Sequence, residues 1–318
     1  MQAQVKRGFQ LADKGFSAYY KHMIMMNEWG LQVVRSIQRI FGSGFIVPMK
    51  IITFLGSEAF ILATLPFLYW CVDRKKGARI SLVIVFSAFL NLWVKMLFAT
   101  PRPYNLDPSV GLAEETTSGF PSGHSQTSLT FWGMMQKLLP RKLGLFAFIL
   151  IPLLVGFSRI YLGVHFPHDV IGGWALGLFV LAGFGLFGDR IERMLHQLHF
   201  RYRILAASAV ALCMNFLMPA DTMLSGAFFG SAIGFALVSR DFRFNAAGGA
   251  FVQKLLRYAL GLIITILMYL GSKMLTSALP ASQIPLARFI RYGLVGLWVS
   301  FGAPWLFLKI KLANLEEA

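Results

Sequence analysis

The chain has 318 residues, 56% of them hydrophobic and only 14% charged, with a mean hydropathy of +0.62. That balance excludes a soluble globular domain of ordinary composition and points to an integral membrane protein. Thirty Lys and Arg against fourteen Asp and Glu give a net charge of +16, but the basic residues gather in short loops between apolar runs, a topology signal that argues against a nucleic-acid partner.

Residues 1–48 read as an amphipathic N-terminal segment. Lys6, Arg7, Lys14 and Lys21 fall in it without a continuous apolar core, so no cleavable signal peptide is evident. Trp29, Leu31, Val34, Ile37 and Ile40 recur at three- and four-residue steps against Arg35 and Arg39, which predicts a helix lying on the membrane surface. A first span follows over 49–72, near the roughly 20 apolar residues that cross the hydrocarbon core, with the acid Glu58 inside it. The basic loop from Asp73 to Arg79 leads to a second span over 80–100 that carries Lys95 near its far end and is stopped by Pro101 and Pro103. Residues 104–120, with Asp107, Glu114 and Glu115, read as a polar loop outside the hydrocarbon.

A weaker third span is predicted over 121–139, then a fourth over 143–161 and a fifth over 167–187. Apolar runs near 204–220, 223–239, 257–275 and 287–308 bring the total to about nine, in an all-α polytopic membrane helix bundle. The chain thus divides into the 1–48 segment, a core over 49–188 and a C-terminal extension of about four spans over 189–318. Cys71 and Cys213 sit in apolar runs with no metal or disulfide spacing. When the spans alternate, the basic turns 73–79, 137–142, 189–203 and 240–257 share one side, which the positive-inside tendency makes cytoplasmic. The basic residues of 1–50 fall on the other side, against that tendency.

Three polar stretches interrupt the apolar pattern: Lys95 with Arg102-Pro103, Pro121-Ser122-Gly123-His124, and Ser158-Arg159 with His165 and Asp169. Lys95 and Arg102 are seven residues apart, two helical turns, so both project toward one site at the end of the second span. A lysine inside a membrane helix calls for a partner or an anion, although one near a helix end also reaches the interface by snorkelling. Pro121 suits a helix start, and the Ser122-Gly123 turn leaves N–H groups at the positive end of a helix dipole, a cradle for a phosphate oxygen. Asp169, four residues after His165, is spaced to accept the Nδ1 proton and leave Nε2 free to attack, or equally to cap the helix that Pro167 opens. Arg159 adds a forked donor.

Together these stretches resemble the signature of the type 2 phosphatidic acid phosphatase superfamily, which includes glucose-6-phosphatase and the vanadium haloperoxidases. The resemblance covers about residues 50–187, with no departure at a signature position. It implies that His165 is a nucleophile forming a phosphohistidine, that Asp169 orients it, and that His124 is the general acid. It further implies that Lys95, Arg102, Ser122, Gly123 and Arg159 hold the phosphoryl oxygens, with protein cations where magnesium often stands, so that neither metal nor cofactor is called for. His168 has no signature role, and His196 and His199 fall in a basic segment.

The expected activity is hydrolysis of lipid-linked phosphate monoesters or diphosphates, with membrane lipids as surroundings, no nucleic acid, and self-association left open. A soluble sugar phosphate is the alternative substrate. A haloperoxidase is disfavoured because that branch is soluble, and a transporter because the polar groups gather toward one face. In a bacterium the site would face the non-cytoplasmic side of the inner membrane.

Overall fold

The computed structural model describes residues 23–276 and 279–316; Lys6, Arg7, Lys14 and Lys21 lie outside them. Regular structure among the described residues is helical, apart from one isolated bridge between Phe244 and Leu315. Helix α1 covers residues 23–41. The predicted first span is broken into α2 (Ile46–Phe54) and α3 (Glu58–Phe67). Ser57 caps α3 by accepting the Phe60 N–H, and Glu58 occupies the first turn, where the helix dipole favours an acid; it is exposed and plays no part in the site. The break has a packing reason. A Cβ on Gly56 would stand 2.8 Å from the carbonyl oxygen of His124, so glycine lets this turn press on the start of a later helix.

Helix α4 (Arg74–Phe98) is capped by Asp73, whose side chain accepts the Lys76 N–H. After it come the single turn α5 (Pro103–Leu106), α6 (Gly123–Met135), α7 (Arg141–Tyr161) and α8 (Pro167–Gln197). The C-terminal part comprises α9 (Phe200–Leu217), α10 (Met223–Asp241), α11 (Phe251–Thr276), α12 (Ile284–Leu297) and α13 (Ala303–Lys309). Eight helical segments among the described residues are long and apolar enough to cross a membrane, against about nine expected. The difference is α6. At 13 residues it is about 20 Å long against a hydrocarbon core of about 30 Å. It also buries polar Ser125, Gln126, Ser128 and Thr130 inside the bundle rather than facing lipid.

Four contacts bring the basic turns 73–79, 137–142 and 189–203, with Glu316, to one end of the bundle. Lys76 Nζ donates to the Lys137 carbonyl at 3.3 Å, Arg79 pairs with Asp189 and Glu192, and Arg74 pairs with Glu316. The opposite end holds the 104–120 loop, and α1 packs there. Arg35 donates to Asp107, and Gln38 Nε2 to the carbonyls of Val110 and Tyr161, each at 2.8 Å. The face of α1 turned inward differs from the one its apolar spacing predicts: Val34 is buried, but Trp29 and Ile40 point outward. Gly30 accounts for this, because a Cβ there would lie 2.7 Å from the Phe166 ring.

The C-terminal helices join the rest through Tyr69 and Trp70, whose side chains donate to the carbonyls of Ser300 and Val299. Within that part, α10 meets α12 closely enough that a Cβ on Gly230 would stand 1.9 Å from the Gly293 carbonyl oxygen, the small-residue packing that membrane helices favour.

Candidate active site

The site begins where α4 ends. Lys95 is the last basic residue of the helix; Ala99, in the left-handed region at φ 46°, returns its N–H to the Lys95 carbonyl and turns the chain out. Arg102 therefore does not follow Lys95 along one helix face, as their spacing alone predicts. It stands after the break, immediately before α5, and the turn at 99–102 brings the two cations together. Pro101 and Pro103 enforce that turn. Both side chains are buried. Lys95 Nζ donates to the carbonyls of Ser118 at 2.5 Å and Gly119 at 3.2 Å, so its ammonium is held by the 118–119 backbone inside the protein.

Arg102 uses its whole guanidinium. Nε donates to the Thr117 carbonyl at 2.7 Å, Nη2 to Thr117 Oγ1 and the Ser118 carbonyl, and Nη1 to the Val164 carbonyl at 2.8 Å and to His165 Nε2 at 3.1 Å. An arginine is always a donor, so Nε2 of His165 is the acceptor and carries the lone pair. The other ring nitrogen, Nδ1, lies 3.3 Å from Asp169 Oδ2, which also accepts the Phe166 N–H at 2.9 Å. Asp169 thus does both things its position offers: it caps the start of α8 and backs the imidazole. His165 lies in the loop between α7 and α8, fully buried. Burial first, then the charges of Arg102 and Arg159, hold its pKa well below the usual histidine range, so the ring is neutral.

Ser122 is the N-cap of α6, its hydroxyl accepting from the N–H and the hydroxyl of Ser125, which leaves its own hydrogen to donate. The Ser122 N–H is already bound to the Asp169 carbonyl at 2.9 Å, locking the start of α6 to the start of α8. Gly123 opens α6 against Asn91, whose Oδ1 would be 3.2 Å from an added Cβ. His124 follows in the first turn. Arg159, at the end of α7, is buried, with Nη1 donating to Thr53 Oγ1 at 3.0 Å and Nη2 paired with Glu115. The same Glu115 oxygen lies 3.8 Å from His124 Nδ1. All eight residues singled out in the sequence are therefore linked at one end of the bundle, directly or through the 115–119 loop. His168 stacks on Phe166 with centroids 5.2 Å apart, and His196 lies at the other end, 3.7 Å from Glu192.

Two further groups at the site lie outside the three polar stretches. One is the 115–119 loop itself, whose carbonyls and Glu115 carboxylate hold Lys95, Arg102 and Arg159. The other is a buried amide pair under α6: Asn91 Nδ2 donates to Gln126 Oε1 at 2.7 Å and Gln126 Nε2 to Ser87 at 2.8 Å. Polar residues in two adjoining membrane helices were the available signal for that pair.

A membrane helix bundle that closes three buried cations around a carboxylate-backed neutral histidine has the parts of a phosphoryl-transfer site. The chain belongs to the PAP2 superfamily: residues 76–192, which contain all eight of these positions, match that superfamily, and residues 222–315 match the PAP2 superfamily phosphatase transmembrane extension. It is a membrane phosphatase. Phosphatidylglycerophosphatase B of Bacillus subtilis is 29% identical over 195 residues, which are 58% of this chain and 87% of that protein. The undecaprenyl-diphosphatase of Sulfolobus acidocaldarius is 35% identical over 111 residues, 34% of this chain and 52% of that protein, so the match spans only about half of that relative. Among solved structures, a transmembrane PAP2-type phosphatidylglycerolphosphate phosphatase from Bacillus subtilis is 29% identical, with 52% of this chain and 86% of that one covered and a TM-score of 0.45.

Proposed function

We propose that the chain hydrolyses a phosphate monoester or diphosphate carried by a membrane lipid, through a phosphohistidine on His165. The supporting observation is the buried line Arg102, His165, Asp169, which fixes the tautomer and turns the Nε2 lone pair toward the cations. In the first step the phosphoryl oxygens take over N–H donors of Lys95, Arg102 and Arg159, with the Ser122 hydroxyl adding one more. The Nε2 lone pair then attacks phosphorus as the bond to the leaving oxygen breaks. His124, whose pKa burial lowers, takes up a proton under the negative charge of the bound phosphate and gives it to that oxygen. Asp169 stabilises the positive charge that develops on the ring. In the second step a water gives a proton to His124 and its oxygen attacks phosphorus. The N–P bond breaks, its electron pair returns to Nε2, and phosphate leaves.

The lipid substrate follows from where the site lies. Lys95 is near the end of α4, Arg159 near the end of α7 and Asp169 in the first turn of α8, so the phosphate stands near headgroup level while acyl or prenyl chains stay in hydrocarbon. The lipid-phosphatase names of the relatives point the same way. A phosphate-release panel on purified protein in detergent micelles tests this, comparing phosphatidic acid, phosphatidylglycerol phosphate, a sphingoid-base phosphate and a polyprenyl diphosphate with glucose 6-phosphate at matched concentration. A clear preference for the sugar phosphate overturns the lipid assignment. Turnover that survives a chelator is expected, since the proposed chemistry uses protein cations.

We also propose that the site opens to the non-cytoplasmic side, because the basic turns gather at the other end. An impermeant thiol reagent on intact cells should label a cysteine placed at Asp107 and spare one placed at Lys76; the reverse pattern inverts the orientation.

A further inference from the structure

We infer that Glu115 is a specificity-determining residue: its carboxylate stands on Arg159 where a phosphate oxygen would bind, and the phosphoryl group has to displace it. The inference rests on the phosphatase reading above. Glu115 Oε1 pairs with Arg159 Nη2 and lies 3.8 Å from His124 Nδ1, so its described partners are two groups proposed to act on substrate. A carboxylate and a phosphate present the same oxygen geometry to a guanidinium fork.

The surrounding loop makes the side chain, not the backbone, the movable part. Tyr104 donates to the Glu115 carbonyl at 2.9 Å, Arg102 holds Thr117 and Ser118, and Lys95 holds Ser118 and Gly119. Glu115 keeps a side-chain exposure of 25% while Arg159 has 3%. Rotation of one side chain therefore clears Arg159 without unfastening the loop.

The charge balance gives the consequence. Lys95, Arg102 and Arg159 bring three positive charges, Asp169 and Glu115 two negative ones. Removing the Glu115 carboxylate therefore raises the net positive charge of the site by one. Inorganic phosphate, which has no chain to anchor it, depends wholly on that charge, so Glu115 weakens the hold on the free product more than on a lipid ester. It favours product release and discriminates against small oxyanions.

The test is the inhibition constant of inorganic phosphate against a lipid phosphate monoester, together with the thermal shift phosphate induces, for wild type, Glu115→Gln and Glu115→Asp in micelles. Glu115→Gln should lower the inhibition constant about ten- to a hundredfold, the size of one short-range charge interaction or of a typical site-to-site coupling. Glu115→Asp, which keeps the charge but draws it back by one methylene, should fall between and guards against a folding defect in the amide variant. An inhibition constant unchanged within about twofold, with kcat reduced only for poor leaving groups, would mean that Glu115 acts through His124, and the inference falls. The thermal shift needs no turnover. If no ester is hydrolysed but the shift still grows in Glu115→Gln, the phosphatase reading fails and the competition stands; if the shift is the same in both proteins, the inference fails.

Discussion

The molecule buries arginines in two regions, and their partners differ in kind. Arg257, in the C-terminal part, is wholly enclosed and donates only to main-chain carbonyls: those of Trp70 and Ala246 through Nη1, and those of Gly248 and Leu312 through Nη2. Arg102 and Arg159 are as deeply buried, but their partners include a histidine nitrogen, two threonine hydroxyls and a carboxylate. Both Arg159 and Arg257 leave Nε without a partner, so an unpaired buried N–H does not mark a site. What separates the regions is exchangeability. Main-chain carbonyls fixed in the fold cannot be replaced by a ligand, whereas a carboxylate side chain can swing away and a histidine lone pair can react. For these arginines, then, burial signals either a clamp or a site, and the partners decide which; Lys95, with three donors and two carbonyl partners, keeps a hydrogen to offer without displacing either.

The comparison breaks first, and most visibly, at His165. His165→Ala should reduce phosphate release at least about a thousandfold, because a nucleophile acting with its base and cradle is not replaceable by its neighbours. Near-wild-type turnover would return Arg102 and its partners to the class of clamps. A smaller loss is expected for His124→Ala, about a hundred- to ten-thousandfold on a lipid phosphate, the usual range for general acid–base catalysis. The loss should shrink when the leaving group is a nitrophenolate that needs no proton; an equal loss on both substrates rejects the acid role.

Arg257→Met sharpens the other half of the comparison. Leaving four carbonyls short of a donor should destabilise the protein by about 2–4 kcal/mol, read as a lowered unfolding temperature in micelles, with kcat per folded molecule within about twofold of wild type. Lost turnover at unchanged stability would put Arg257 in a functional site after all.

How much of this the sequence disclosed follows from the same distinction. Lys95, Arg102, Arg159 and Asp169 stand out because an apolar chain carries charge only where something pairs with it, and their order along the chain added specificity. The partners were hidden. Glu115 and Thr117 belong to a loop that was expected to be polar, so nothing marked them as different from Asp107 or Glu114. The break at Gly56 is illegible, and the shortness of α6 shows in the sequence only as a weaker apolar run, since both depend on close approach between helices rather than on the run of apolar residues. Even the Lys95–Arg102 pair converges by a route that periodicity did not reveal, a left-handed turn at Ala99 in place of two helical turns.

His165 allows a pH measurement that separates it from an exposed histidine. A depressed pKa means the neutral ring persists as pH falls below the usual histidine value near 6.5, and the nucleophilic form is lost only when pH drops through the lower value. Nitrogen NMR of histidine-labelled protein in micelles should therefore find one ring, absent in His165→Ala, that keeps a protonated Nδ1 and a bare Nε2 at pH 6. A ring that protonates near 6.5 would show that neither burial nor the neighbouring cations act on it.

The smallest effect is expected at the exposed pair that ties α1 to the site loop. Arg35 reaches Asp107 at 2.6 Å with half its side chain in solvent, so screening leaves it little weight. The Asp107 carboxyl is held down to about 2, but first by the Ser109 hydroxyl and then by Arg35, so the loop keeps its own cap when the arginine is gone. The Gln38 contacts to Val110 and Tyr161, made by an uncharged donor, also remain. Arg35→Ala should change kcat/KM by less than about twofold and should do so equally at low and high salt. A large loss, or one that appears only at low salt, would mean that the loop over Arg102 and Arg159 depends on α1 for its position.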